Sequence, residues 1–128
     1  MKSYRDLNVW QDAMRLAERV YSVTAAFPAS ERYGLISQMR RAAVSVPSNI
    51  AEGYGRRTPR QRHQFLENAL GSLFELETQF ELSSRLGLLS PTAVQEIASE
   101  IASIGRGLTA LMRYVEREAQ AEPRSRKR

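Results

Sequence analysis

The sequence contains no cysteine. Disulfides, thiolate metal sites and cysteine nucleophiles are excluded together, and the composition fits a reducing compartment. Histidine and tryptophan occur once each, as His63 and Trp10. One histidine cannot supply the two Glu-x-x-His motifs with which helical bundles hold a metal pair. No run of about 20 apolar residues is present to span a membrane. The opening MKSYRDLNVWQDAM has no uninterrupted apolar run, so it does not read as a signal peptide. The expected compartment is therefore the cytoplasm. Alternation with period two never lasts long enough to make a strand. EGYGRR carries a G-x-G, but it lacks both a preceding strand and the third glycine of a dinucleotide loop. No nucleophile–base set accompanies these residues. The expectation is a protein that is not an enzyme and that needs neither metal nor cofactor.

What the sequence does have is arginine. It supplies 17 of the 19 Lys and Arg residues, and the net charge is +5. Arg40, Arg41, Arg56, Arg57, Arg60 and Arg62 fall within residues 40–62, against Glu52 alone. A second concentration of seven cations spans residues 106–128, against Glu116, Glu118 and Glu122. Between them Glu67, Glu75, Glu77 and Glu81 form an acidic waist. Basic ends around an acidic middle are a footprint for a polyanion. Arginine is also an ordinary solvated helix residue, so charge alone leaves both readings open.

The apolar residues recur with helical period. Val9, Ala13, Leu16, Val20, Val23 and Phe27 alternate spacings of four and three, which predicts a first helix over residues 8–26, ended by Pro28. A second stripe runs Ile36, Met39, Ala43, Val46, Ile50, with Ser30 as its expected N-cap. Thr58-Pro59, with Gln61 three residues after the threonine, is a capping box that opens the third helix. Leu66, Ala69, Leu73, Leu76 and Phe80 give that helix its apolar face, and Gly87 is the expected left-handed stop. Ser90-Pro91 opens the fourth, whose stripe is Val94, Ile97, Ile101, Ile104, Leu108, Leu111 and Val115. Connections this short make neighbours antiparallel. The predicted fold is an all-α, up-down-up-down four-helix bundle over residues 1–122, followed by a disordered basic tail over 123–128.

SVPSNIAEGYGRR, residues 45–57, puts a proline inside this scheme. The second stripe keeps its phase straight across Pro47, which a loop would not do. Pro47 lacks an N–H for the Ala43 carbonyl and crowds it, a penalty of about 3 kcal/mol. The expectation is one continuous helix, kinked at Pro47. Beside the apolar stripe runs a polar one of Gln38, Arg41, Ser45, Ser48 or Asn49, and Glu52. Helix three offers Gln61, Asn68, Ser72, Glu75 and Gln79 in the same manner. Buried polar groups must be paired, and Arg41 with Glu75 is the expected interhelical pair. Small residues such as Ala42, Ser48, Ala51 and Gly71 would let two backbones approach closely. His63, next to Arg62 in the first turns of helix three, reads as exposed.

LNVWQDA, then FPASERYGLISQMRRAAVSVPSNIAEGYGR, then FLENALGSLFELETQFELSSRLG resemble one family of bacterial four-helix bundle proteins. That family was first noticed as open reading frames within intervening sequences of large-subunit ribosomal RNA genes. The resemblance covers about residues 4–88, whereas helix four matches only in pattern. It implies an antiparallel bundle assembled as a homopentamer. It also implies kinship with accessory proteins of diversity-generating retroelements, which are basic pentamers that bind nucleic acid and a reverse transcriptase. The matching motif residues are Arg41, Ser45, Asn49, Glu52 and Gly53 in helix two, with Gly71, Ser72 and Glu75 in helix three. The resemblance gives them a packing or assembly role.

Two functional expectations follow. The first is an oligomeric scaffold that binds RNA or DNA backbone, in a sequence-tolerant and salt-sensitive way. Arg56, Arg57, Arg60 and Arg62, with Arg113 and Arg117 brought to the same end by topology, are its candidate binding residues, and Arg124–Arg128 would extend the patch. The second is a protein–protein adaptor for a partner encoded nearby, a reverse-transcriptase type of enzyme by analogy, in which the arginines only solubilise. Trp10, Tyr21, Tyr33, Tyr54, Phe65 and Phe74 lie outside the core stripes and are candidate subunit contacts in either case.

Overall fold

A computed structural model describes residues 3–121. Within them the chain folds as four helices: α1 (Asn8–Thr24), α2 (Ser37–Tyr54), α3 (Pro59–Arg85) and α4 (Pro91–Ala121). No strand occurs among the described residues. The basic tail expected over 123–128 lies outside them, as does its extension of the arginine patch.

The helix ends show why the sequence folds this way. Thr58 accepts a hydrogen bond from the Gln61 N–H at 3.2 Å, with Pro59 in the first helical position of α3. That proline costs nothing there, because its missing N–H would have had no partner. At the other end of α3, Gly87 has φ +74°. The Leu88 N–H reaches the Ser83 carbonyl and the Gly87 N–H reaches the Ser84 carbonyl, both at 3.0 Å. This paired arrangement closes the helix and needs a left-handed residue. Ser90 caps α4 by accepting from the Ala93 N–H at 3.1 Å.

The entry to α2 differs from expectation. Ser30 is not its N-cap. Residues Ala29–Glu31 form a 3-10 turn and Arg32–Ile36 a wider helical turn, with Gly34 outside helical dihedrals (φ −110°, ψ −109°). The first free N–H groups therefore start later, and Glu31 accepts from the Leu35 N–H at 3.3 Å. Beyond Ser37, α2 runs continuously through Pro47, which is itself buried. The kinked, joined piece of helix two belongs to this Gly34 region.

The four apolar stripes meet in one core. Leu16 and Val20 of α1, Met39 and Val46 of α2, Leu73 and Leu76 of α3, and Ile97, Ile104 and Leu108 of α4 are each at most 1% exposed. At about 25 cal/mol per Å² of apolar surface removed from water, residues of this size contribute roughly 1.5–3 kcal/mol apiece. Two buried hydroxyls are satisfied on their own helices: Thr24 donates to the Val20 carbonyl at 2.6 Å and Ser83 to the Gln79 carbonyl at 2.8 Å. Each helix packs on two neighbours, α1 on α2 and α4, α3 on α2 and α4. The cross-section is a square in chain order.

Candidate nucleic-acid interface

Two polar regions stand out on this frame. The first is the seam where α2 lies along α3. Arg41 Nη2 sits 3.4 Å from Glu75 Oε2. One turn along, the Ser45 and Ser72 hydroxyls are 2.8 Å apart. Asn49 Nδ2 then donates to the Ser45 carbonyl at 2.8 Å and to its Oγ at 3.0 Å. The seam closes at Gly53, where a Cβ would stand 2.9 Å from Phe65 Cβ and 3.4 Å from the Arg62 carbonyl. Any side chain here would push α3 away. Gly71 behaves otherwise: a Cβ there would meet nothing within 4 Å, so it makes no close helix approach within the chain.

The second region is the end of the bundle where α2 turns into α3 and α4 finishes. Arg62 is the staple of this end. Its Nε and Nη2 donate to the Arg56 and Arg57 carbonyls at 3.0 and 3.3 Å, and Nη1 lies 3.4 Å from Glu118 Oε1. A guanidinium with three donors so engaged pins the loop to α3 and α4. Of the candidate binding arginines it is the one whose donors are spent on three contacts within the chain. Arg56 is partly engaged as well, 4.5 Å from the Phe65 ring centroid and 3.8 Å from Glu52 Oε2. Among the described residues, Arg57, Arg60, Arg113 and Arg117 form no ion pair.

These four do not form one cluster. Arg113 lines the outer groove between α3 and α4 together with Arg106, a residue that sequence reasoning left out of the patch. Arg57 in the loop and Arg60 in the first turn of α3 belong to the bundle end, with Arg117 near the finish of α4. The antiparallel juxtaposition is fixed by the Arg62–Glu118 contact and by a second cross-link, through His63.

His63 is half-buried, and the expectation of an exposed ring is corrected. Its Nδ1 lies 2.8 Å from Glu67 Oε1 on α3 and its Nε2 2.8 Å from Glu116 Oε2 on α4. Burial alone would lower its pKa. The hydrogen bonds to Glu116 and Glu67, with the charges of both, outweigh that and raise it above the usual 6.5. The signal was legible in principle: Glu67 is four residues on along the same face, and the antiparallel end of α4 brings Glu116. The two carboxylates address opposite ring nitrogens, so they do not converge on one point. Among the described residues no three metal-ligating side chains gather.

The net result at this end is a set of paired carboxylates and unpaired arginines. Glu52, Glu67, Glu116 and Glu118 each have a partner, while the side chains of Arg57, Arg60 and Arg117 form no ion pair among the described residues. Of the aromatic candidates, Tyr21, Tyr33, Tyr54 and Phe74 are exposed, as is Tyr114, which sequence reasoning did not single out. Trp10 and Phe65 are half-buried against their own chain. No described helix is long and apolar enough to cross a membrane.

Comparison with known proteins bears on the whole of this frame. The profile of a family described as 23S rRNA-intervening sequence protein matches residues 5–110 and so reaches well into α4. No curated protein matches the chain. Among solved structures, a protein of unknown function from the S23 ribosomal protein family of Bacteroides thetaiotaomicron VPI-5482 is similar, with a TM-score of 0.74. It is 20% identical, and the match covers 81% of this chain and 97% of that one. At that identity the likeness is one of fold.

Proposed function

The chain belongs to the 23S rRNA-intervening sequence protein family, and from that premise we propose that it is a non-enzymatic scaffold that assembles with itself, most simply as a pentamer, and holds RNA or DNA by the backbone. The observation that carries the reading is the imbalance at the bundle end. Among the described residues, Glu52, Glu67, Glu116 and Glu118 are each occupied by a neighbour, whereas Arg57, Arg60 and Arg117 are exposed and form no ion pair. An unpaired guanidinium can engage a phosphate without first breaking an internal bond. Five copies would repeat the patch around a ring and add their fields. Contact is to phosphates and not to base edges. Binding is therefore sequence-tolerant, and its affinity falls linearly in log–log form with salt.

The test is retention on single- and double-stranded oligonucleotides across a salt series, for the wild type and for Arg57→Glu/Arg60→Glu. The expected result is steep salt dependence in the wild type. The charge-reversed variant should lose about 100-fold in affinity, on the order of 2.7 kcal/mol, with unchanged helical content. Wild-type protein that binds no polyanion at low salt returns the arginines to a solvating role and leaves the adaptor reading in their place.

A further inference from the structure

Because α1 and α2 form one side of the square and α3 and α4 the other, the outer grooves of the two pairs face in opposite directions. Both grooves are apolar and open. The α1/α2 groove, about 560 Å³, is lined by Trp10, Met14, Tyr21, Val44, Pro47 and Ala51. Tyr21 and Val44 stand 46% and 43% exposed there. The α3/α4 groove, about 680 Å³, holds Leu70, Ala102 and Ala110 beside Phe74, which is 55% exposed. Large apolar side chains gathered this way on a small bundle mark contact surfaces.

The charges left over in the two grooves are complementary. Glu18 lines the α1/α2 groove and has no ion pair among the described residues; Arg40 is stacked 4.5 Å from the Tyr21 ring centroid and donates to Thr24 Oγ1 at 3.0 Å and to the Tyr21 carbonyl at 3.4 Å. The α3/α4 groove carries Arg106, Arg113 and Glu77, also without ion pairs among the described residues. Set against its own kind, the α3/α4 face, with two arginines to one glutamate, opposes one net positive surface with another. Set against the α1/α2 groove, its arginines meet Glu18. Like-charge juxtaposition is the stronger discriminator between such arrangements.

We infer that the chain docks head to tail on a second copy of itself, the Phe74 face of α3/α4 in one copy seating in the α1/α2 groove of the next. The inference rests on the self-assembly reading above and assigns its two surfaces. A contact between different faces repeats from copy to copy, giving a ring where the rotation closes and an open filament where it does not, whereas a two-fold contact would stop at a dimer. It also removes Arg113 from the polyanion set and leaves Arg57, Arg60 and Arg117 exposed at the bundle end.

A chain without cysteine makes the test clean. Val44→Cys and Phe74→Cys are prepared singly, as a mixture and as a double variant, and treated with a short bismaleimide. Mass by light scattering is measured alongside for the wild type. The expected result is an oligomeric wild type, cross-linked dimers from the mixture, a ladder of higher species from the double variant, and little product from either single variant. Efficient cross-linking of Phe74→Cys alone would establish a two-fold contact and overturn the head-to-tail arrangement. An oligomeric wild type with no 44-to-74 product overturns the assigned surfaces but not self-assembly. A wild type that stays at the 14.5 kDa of one chain overturns both.

Discussion

The α2/α3 seam and the basic end of the bundle are both polar, yet they are built on opposite rules. Along the seam, Arg41, Ser45, Asn49, Ser72 and Glu75 find partners within the chain, and Gly53 lets the helices close on Phe65. At the end, the side chains of Arg57, Arg60 and Arg117 find no ion-pair partner among the described residues. A polar group satisfied internally holds two elements in register and has little left to offer a ligand. One left unsatisfied on the surface contributes almost nothing to stability and is available for binding. The lesson is to sort arginines by what already occupies them. Arg60 and Arg62 are two residues apart and fall on opposite sides of that division.

The sharpest way to break the comparison is at Gly53. Replacing it with leucine inserts a branched side chain where even a Cβ would sit 2.9 Å from Phe65 Cβ. The seam cannot absorb it without separating α2 from α3. A loss of about 3 kcal/mol is expected, measured as a lower urea midpoint at an unchanged slope. A variant as stable as the wild type would show that the seam is loose.

The next test sets Arg62→Ala against Arg60→Ala. Removing Arg62 strips the Arg56 and Arg57 carbonyls and Glu118 of a shared donor, and about 2 kcal/mol of stability should go with it. Removing Arg60 should change stability by less than about 0.5 kcal/mol. It should nevertheless weaken polyanion binding severalfold and flatten its salt dependence. Equal stability losses in the two variants would erase the distinction between stapling and binding arginines.

Much of this frame was legible in the sequence because it follows from short-range chemistry. The stripe Leu66, Ala69, Leu73, Leu76, Phe80 is buried throughout, and the Thr58 cap and the Gly87 stop act as their residue types require. The phase argument across Pro47 worked for the same reason, since a helix is a periodic object. Ser30 misled because a capping residue was judged without the Gly34 break that delays the helix. The candidate site was read less well. Counting cations gives their number but not their occupants, and the partners of Arg62 lie six, five and 56 residues away. Only the folded chain brings Glu116 and Glu118 to the start of α3. Arg106 was missed because the groove it lines is created by helix pairing and has no local signature.

The smallest expected effect lies at His63, between the two regions in character, and it sharpens the comparison by adding pH. Both ring nitrogens face carboxylate oxygens at 2.8 Å. A neutral imidazole can donate from one nitrogen only, leaving a lone pair against the other carboxylate, so both contacts require the imidazolium. Folding therefore raises the pKa, in keeping with the direction caused by Glu116 and Glu67 against the opposing effect of burial. For a group whose pKa is raised on folding, the added stability is fully present below the unfolded value of about 6.5 and disappears as pH rises through the folded value. The clasp should thus tie α3 to α4 in acid and release it in mild base. Thermal melts of the wild type and His63→Gln from about pH 5.5 to about pH 8.5 cover the range in which histidine titrates. The wild type should be the more stable at the acid end by on the order of 1 kcal/mol, a difference of several degrees at most in melting temperature. That advantage should shrink steadily towards the basic end. A constant difference across the range would mean that His63 contributes by packing alone and that its two carboxylates do not clasp a charged ring.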